Sequence, residues 1–574
     1  MKIEKKIKQL VVLAALSGLG MQLQAQHKKI WASGMARSIF QQNKITTEGD
    51  TVTPVITNSG HALVDLTLNA SPNENTYLNA MVRVRNDFGG FWGSGVTFDL
   101  RQLYLKGLIK NAVRYQLGDI NYKLTPFTFY SNSEEFSGQQ NAILDVFRQT
   151  VHQDWFYTKD NTWRQQGAAL DFSLAFNNKF IQGADVDLFS TRVHPTDFAK
   201  QSERFFYGGR TTFYHKDKLR FGLNYVELAD IKGTANTSNW FKNSVVTGIV
   251  DGELKKARHD YGFKSEFGSS KMSIAGGTDA GDIRDYFFKV GAHMTLAKRN
   301  VALHANYINV GPGFRSVGAQ SKRVNFEAMN LLYGRYMNAQ NVRAITSLDM
   351  AQDASLYRNN FNPDLDNFLP WFDNIRPYGE ATPNRKGLDI KVVYSTESKK
   401  VQLSGNLLVQ SEVVGQGIES LRQFTGSKVD LNVDMAKILG WKKRDFTLSA
   451  SHGLQRTSRS SDIVQSNIDL SSSVADIGLQ WEFAQDFDLI LTYRNLTGKG
   501  NEYWNQRNEL TQIVDFKPLT VDLKETILMA GIRYRFSDKN QIQALWQKMN
   551  WSDKAGTLQP FSMEQIAIVY ILNF

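Results

Sequence analysis

The sequence predicts an all-β chain: an antiparallel, up-and-down transmembrane β-barrel of about 18–22 strands with long external loops. Three observations predict it: the alternation of the final strand, the repetition of that alternation along the chain, and an export leader at the other end. The chain closes on MEQIAIVYILNF. Counting back by twos gives Phe574, Leu572, Tyr570, Ile568 and Ile566, and the residues between are Asn573, Ile571, Val569, Ala567 and Gln565. Side chains alternate across a strand, so one face is wholly apolar while the other turns polar at both ends.

The opposite end reads MKIEKKIKQLVVLAALSGLGMQLQAQ. Lys2, Lys5, Lys6 and Lys8 form a basic start, Leu10 to Leu19 a short apolar core, and Leu23-Gln24-Ala25 a small-residue exit before Gln26. Residues 1–25 thus read as a cleaved secretory signal peptide, too short to span a membrane. Residues 26–574 read as one barrel domain. The chain has no cysteine, which removes a lipid-modified cysteine, disulfides and thiolate metal sites from consideration. No later stretch approaches the ~20 continuous apolar residues of a spanning helix. Mean hydropathy is −0.37, yet aromatics make up 12%. Barrels combine the two because only alternate residues face lipid and aromatic rows mark both interfaces. The net charge of +11, in an exported protein, suits phosphates of lipopolysaccharide or anionic solutes better than nucleic acid.

The dyad recurs. Ala62, Val64, Leu66, Leu68 and Ala70 alternate with Asp65, Thr67 and Asn69, and Leu78 to Val84 follow the turn SPNEN. Similar runs occupy Ala168–Phe176, Ala184–Leu188, Leu219–Tyr225, Val301–Tyr307, Leu388–Tyr394, Val401–Val409, Ile477–Phe483, Phe487–Tyr493, Leu528–Phe536 and Ile542–Trp546. Short turns are expected after Ala70, Phe176, Tyr214, Phe267, Leu296, Tyr394, Phe483 and Phe536. Long connections are expected at 42–60, 124–162, 193–204, 230–256, 311–386, 413–425, 457–472, 498–523 and 551–561. Placing the short turns on the periplasmic side puts both termini there and requires a first strand near Ile30 to Phe40.

The stretch 311–386 breaks the rhythm. Phe326, Met329, Leu332, Tyr333 and Tyr336 stand at helical spacing, and PDLDNFLPWFDNIRPYGEATPNR is a Pro-rich aromatic loop. It folds into the lumen as a constriction, caps the barrel outside, or adds two wall strands.

The terminal Tyr570/Leu572/Phe574 strand resembles the β-signal that assembly machinery reads in Gram-negative outer-membrane barrels. With the leader exit at Ala25-Gln26 and the hairpins, the whole mature chain resembles porin-like outer-membrane β-barrels of the kind seen in Bacteroidota. The resemblance implies an outer-membrane location, contact with outer-membrane lipid and lipopolysaccharide, and handling by the barrel assembly machinery during insertion. It specifies no solute. No plug-like segment precedes the barrel, and no peptidoglycan-binding domain follows it.

For a channel, the inward residues matter most. Alternation turns Arg83, Arg85, Arg220, Arg494, Arg533 and Arg535 toward the lumen, with Asp65, Asp171, Asp185, Asp187, Asp430 and Asp434. Such a wall sets ion preference electrostatically, unless the charges pair with one another. Enzymatic chemistry has little support. His152 with Asp154, and His259 with Asp260, lack a third partner at a defensible spacing. Asp364, Asp366 and Asn367 offer oxygen ligands but lack the glycine and bidentate glutamate of a calcium loop, so they read as a capped turn. GPGFRS at 311–316 is a turn without phosphate-loop spacing. No catalytic residue, metal ligand or cofactor is assigned. Two readings follow: a porin-like channel for small hydrophilic solutes, anions among them because the walls are Arg-lined, or a non-enzymatic barrel subunit of an outer-membrane assembly or secretion machine with stable envelope partners. Trp155, Trp163, Trp240, Trp371 and Trp504 suit the second reading as partner contacts and equally suit interfacial rows.

Overall fold

The structure is a computed structural model that describes residues 30–47, 49, 53–87, 96–129, 164–200, 202–256, 259–276, 281–296, 300–319, 374–507, 513–555 and 560–574. The expected leader (1–25), most of 311–386, and the His152/Asp154 and Asp364/Asp366/Asn367 groups lie outside the described residues.

Among the described residues the strands, in chain order, are β1 (Ile30–Thr47), β2 (Val55–Asn73), β3 (Thr76–Asp87), β4 (Val96–Ile109), β5 (Val113–Asn121), β6 (Arg164–Ala175), β7 (Gly183–His194) and β8 (Arg204–His215). They continue as β9 (Leu219–Asp230), β10 (Trp240–Lys256), β11 (His259–Ala275), β12 (Gly281–Leu296), β13 (Val301–Val310), β14 (Arg385–Ser395) and β15 (Val401–Ser411). The last are β16 (Gln423–Asp434), β17 (Phe446–Arg459), β18 (Ile468–Ala484), β19 (Phe487–Arg507), β20 (Ile513–Ser537), β21 (Asn540–Asp553) and β22 (Phe561–Asn573). Each pairs antiparallel with its chain neighbours, and β22 pairs with β1, with Tyr570 opposite Ser38 and Leu572 opposite Ala36. Closure leaves no edge strand, so the ladder satisfies the backbone polar groups that lipid cannot. A short helix, α1 (Met435–Leu439), fills the β16–β17 turn. Asp434, expected in the lumen wall, caps it by accepting a hydrogen bond from the Lys437 amide at 2.9 Å.

Three expected connections are strand instead. No turn follows Phe267; β11 runs through it. Phe267-Gly-Ser-Ser reads as a turn, but Gly268 is required because a Cβ there would stand 2.3 Å from the Val246 carbonyl oxygen. Residues 240–256 of the expected 230–256 loop are β10. Its inward Phe241 and Val245 are apolar, so hydrophobic residues on both faces erase the alternation. Residues 498–507 and 513–523 of the expected 498–523 loop are the upper parts of β19 and β20, whose outward residues just above the apolar belt, Lys499, Asn501, Thr520 and Asp522, are polar.

That belt is visible residue by residue. Val64, Leu66, Leu68, Phe98, Leu223, Phe267, Val290, Val392, Leu407, Ile477, Leu528 and Ile568 are exposed large apolar side chains on the outer wall. A belt of this kind belongs against hydrocarbon. Toward the loop end of strands β18 to β22 and β1 the pattern inverts. Outward positions are apolar as far as Ile477, Tyr493, Leu528, Trp546, Ile566 and Phe40. Beyond them, apolar residues occupy the inward positions instead: Val474, Leu496, Ile527, Met549, Met563 and Ile45 form one buried cluster. The outer face there carries Ser473, Asn495, Thr526, Asn550, Glu564 and Lys44. The pleat keeps its parity, so the sequence itself exchanges the faces where the strands leave the apolar belt.

Candidate functional site

The inner wall is built by the residues that alternate with the belt. Asp65 and Arg83 are cross-strand partners on β2 and β3, both under 5% exposed, with Nη2 and Oδ2 2.6 Å apart and Nε to Oδ1 also 2.6 Å. Arg494 on β19 donates to Asp476 on β18 at 2.7 Å. Arg533 donates to Asp488 at 2.7 Å, and Arg535 lies 3.2 Å from Glu482. Arg220 reaches Asp251 at 3.0 Å and Glu253 at 3.3 Å. Arg85 lies two residues beyond Arg83 on the same face. Asp171 and Asp187 follow the same rule, taking Arg114 and Arg210, and Asp185 accepts from Ser173 at 2.6 Å. Asp430 accepts from Ser404 at 3.2 Å and lies 3.7 Å from Lys428.

The geometry therefore brings Arg83, Arg220, Arg494, Arg533 and Arg535 onto acids of nearby strands. The sequence put both signs on the inner face, and the register pairs them. Bidentate, charge-assisted pairs in a low-dielectric wall are strong locally and cancel each other's field at a distance. At these positions the surface is polar and its charges stand in pairs.

Two connecting segments enter this interior, and sequence reasoning left the first of them as loop. At 122–129, Phe127 stacks on Phe287 with centroids 3.9 Å apart, and Phe129 meets Phe206 edge-on. At 311–319, the GPGFRS turn leads the chain off β13. Asp285 accepts the Gly313 amide at 2.7 Å, Ser270 the Arg315 amide at 2.8 Å, and Asn243 the Val317 amide at 3.0 Å. Ser316 ties the two segments by donating to the Phe127 carbonyl at 2.8 Å. The returning end of the long connection also lies against the wall: Asn374 donates to Thr457 at 2.8 Å, and Lys289 pairs with Glu380 at 2.7 Å. At this end Arg422 is buried between Glu412 and Glu502, at 3.0 and 3.1 Å. The described flanks of 311–386 thus take the lumen side. The signal was in the sequence: Phe127, Phe129, Phe314 and Val317 are apolar residues in connections that an aqueous loop does not need.

The short-turn rim carries an aromatic row. Trp441, Phe446, Trp481, Phe483, Phe487, Tyr534 and Phe536 follow one another with centroid separations between 4.5 and 6.3 Å. Such a row marks a membrane interface. Tyr570 and Leu572 lie on the same outward parity as the exposed Ile566 and Ile568, and Phe574 lies against Gly34. His259 and Asp260 are consecutive strand residues and point to opposite faces. Trp155, Trp163 and Trp371 lie outside the described residues, as does the Trp504 side chain. Trp240 lies under Lys232, whose Nζ is 4.2 Å from the ring centroid.

The closed wall, the lipid-facing belt and the aromatic row define a porin-like outer-membrane β-barrel, and the protein resides in the outer membrane. No family model matches the sequence, and no curated protein is similar to it. Among solved structures the chain is similar to the copper transporter OprC, at 9% identity over 94% of this chain and 80% of that one, with a TM-score of 0.48. It is also similar to Pseudomonas aeruginosa OpdQ, at 9% identity over 95% and 99% with a TM-score of 0.32. Pseudomonas aeruginosa OccK2 (OpdF) in complex with glucuronate gives 9%, 95%, 98% and 0.34. These are likenesses of fold.

Proposed function

We propose that the protein is a porin-like channel for small hydrophilic solutes. The observation that carries the reading is the inner wall itself: its middle is lined by paired charges and amides, as at Asp65–Arg83 and Asp476–Arg494. Polar side chains facing a lumen cost free energy unless they are hydrogen-bonded or wet. Barrels of about 16–18 strands already enclose an aqueous passage, so a 22-strand wall has room for one beside the inserted segments. Arginines standing alone would draw anions. With acids alongside, the lining selects for polarity more than for sign, and the solute class is hydrophilic with weak ion preference.

The test is conductance of the purified barrel in planar bilayers, together with swelling of liposomes in neutral sugars. Discrete conductance steps and sugar entry support the channel. Silent bilayers and impermeable liposomes, from protein that is folded by heat-modifiable migration, overturn it.

A further inference from the structure

The outer wall carries a groove, edged by hydroxyl and basic side chains, that the channel reading does not use. It opens across β16 to β19 on the loop side of the belt and encloses about 350 Å³. Two successive rows of cross-strand partners build it. Thr425, Arg456, Ser471 and Lys499 are directly opposite one another across four strands, and Ser427, Leu454, Ser473 and Thr497 form the next row down. Their parity is that of the lipid-facing Val429, Ile477 and Tyr493, so the groove faces away from the lumen.

Its height follows from counting. Arg456 stands ten residues along β17 from the aromatic row at Phe446. Tilted strands climb ~2.5 Å per residue, which places the groove ~25 Å above that row, the thickness of the apolar belt of an outer-membrane barrel. The groove therefore meets the outer leaflet where acyl chains give way to headgroups. Below it lie Val429 and Ile477, both exposed.

Its chemistry suits an amphipathic, phosphorylated sugar. Arg456 is held by Asp469 through two contacts, Nε to Oδ1 at 2.9 Å and Nη2 to Oδ2 at 3.2 Å. That pairing uses Nε and Nη2 and leaves the guanidinium's other N–H donors for an anion. Lys499 adds a second cation on the same row. Ser473, in contact with the His452 ring at 3.1 Å, and the neighbouring hydroxyls are of a size and spacing to meet sugar hydroxyls.

We propose that this groove is a binding site for the phosphorylated sugar headgroup of an outer-leaflet glycolipid. Its acyl chains would lie down the apolar wall beneath Leu454, while Arg456 and Lys499 take the phosphate and Ser471, Ser473, Thr425 and Thr497 the sugar edge. The site is independent of whether the lumen conducts.

The test reconstitutes the full barrel in phosphatidylcholine nanodiscs containing a minor fraction of either diphosphoryl lipid A or phosphatidylglycerol, and counts retained lipid by native mass spectrometry. Wild type is expected to retain lipid A in preference to phosphatidylglycerol. Arg456→Gln with Lys499→Gln is expected to retain about tenfold less, as the loss of charge-assisted hydrogen bonds implies. Lys499→Arg is expected to keep retention. Thr497→Phe fills the groove without altering charge and is expected to lower retention too, which guards against a misfolded double variant; heat-modifiable migration checks each protein. Equal retention of the two lipids by wild type, or unchanged retention by both groove variants, overturns the site.

Discussion

Gly34 and Phe574 form the clasp that closes the barrel. Each donates its amide to the other's carbonyl, at 2.9 and 3.0 Å. The Phe574 ring lies so close to Gly34 that a Cβ there would stand 2.7 Å from Cζ, and 2.2 Å from the Asp65 carbonyl oxygen on the other side. The strand that ends the chain thus meets its partner at a residue with no side chain to spare.

Gly34→Ala is expected to destabilise the closed barrel by about 1–3 kcal/mol, the usual cost of overpacking against backbone that cannot move away. Urea unfolding in detergent micelles, read by loss of heat-modifiable migration, measures it. Phe574→Ala with Gly34→Ala should recover part of the loss, since only the ring clash is relieved. A single Gly34→Ala as stable as wild type would defeat the account.

Arg83→Ala is expected to cost about 3–5 kcal/mol, because it leaves the Asp65 carboxylate buried without its partner. Asp65→Leu combined with Arg83→Met should cost far less. The same unfolding assay, arranged as a double-mutant cycle, reads the coupling. Additive single effects would show that the pair does not act as a unit.

Paired charge predicts weak ion selectivity, with a reversal potential near zero in a salt gradient. Asp476→Asn and Asp488→Asn free the fields of Arg494 and Arg533. The double variant should therefore shift the reversal potential toward anion preference. A strong anion preference already present in wild type would contradict the neutral wall.

The exchange of faces on the upper strands can be read with single cysteines, since the chain has none of its own. Spin labels at Ile477 and Leu528 should meet oxygen dissolved in the bilayer. Labels at Ser471 and Asp522, on the same outward parity, should instead meet a water-soluble relaxant. If all four behave alike, the belt does not end where the inversion puts it.

How much was legible can be judged from particular strands. The alternation of β2, β14 and β15, and the terminal strand, were plain because one residue in two is apolar wherever one face meets lipid. β10 was hidden because Phe241 and Val245 belong to one buried cluster with Phe314 and Phe127 from distant connections, so its inner face is apolar as well. The top of β19 and β20 was hidden because polarity there marks exit from the membrane, which a strand-by-strand reading takes for a loop.

By itself, the sequence determined which residues alternate, and therefore the barrel class and the presence of both charge signs on the inner face. Only the tertiary structure decided that Arg83 meets Asp65, that Arg494 meets Asp476, and that Thr425, Arg456, Ser471 and Lys499 fall into one row. Side-chain parity is a local property with a period of two, whereas register between strands is set by closure of the whole ring, which no single segment encodes.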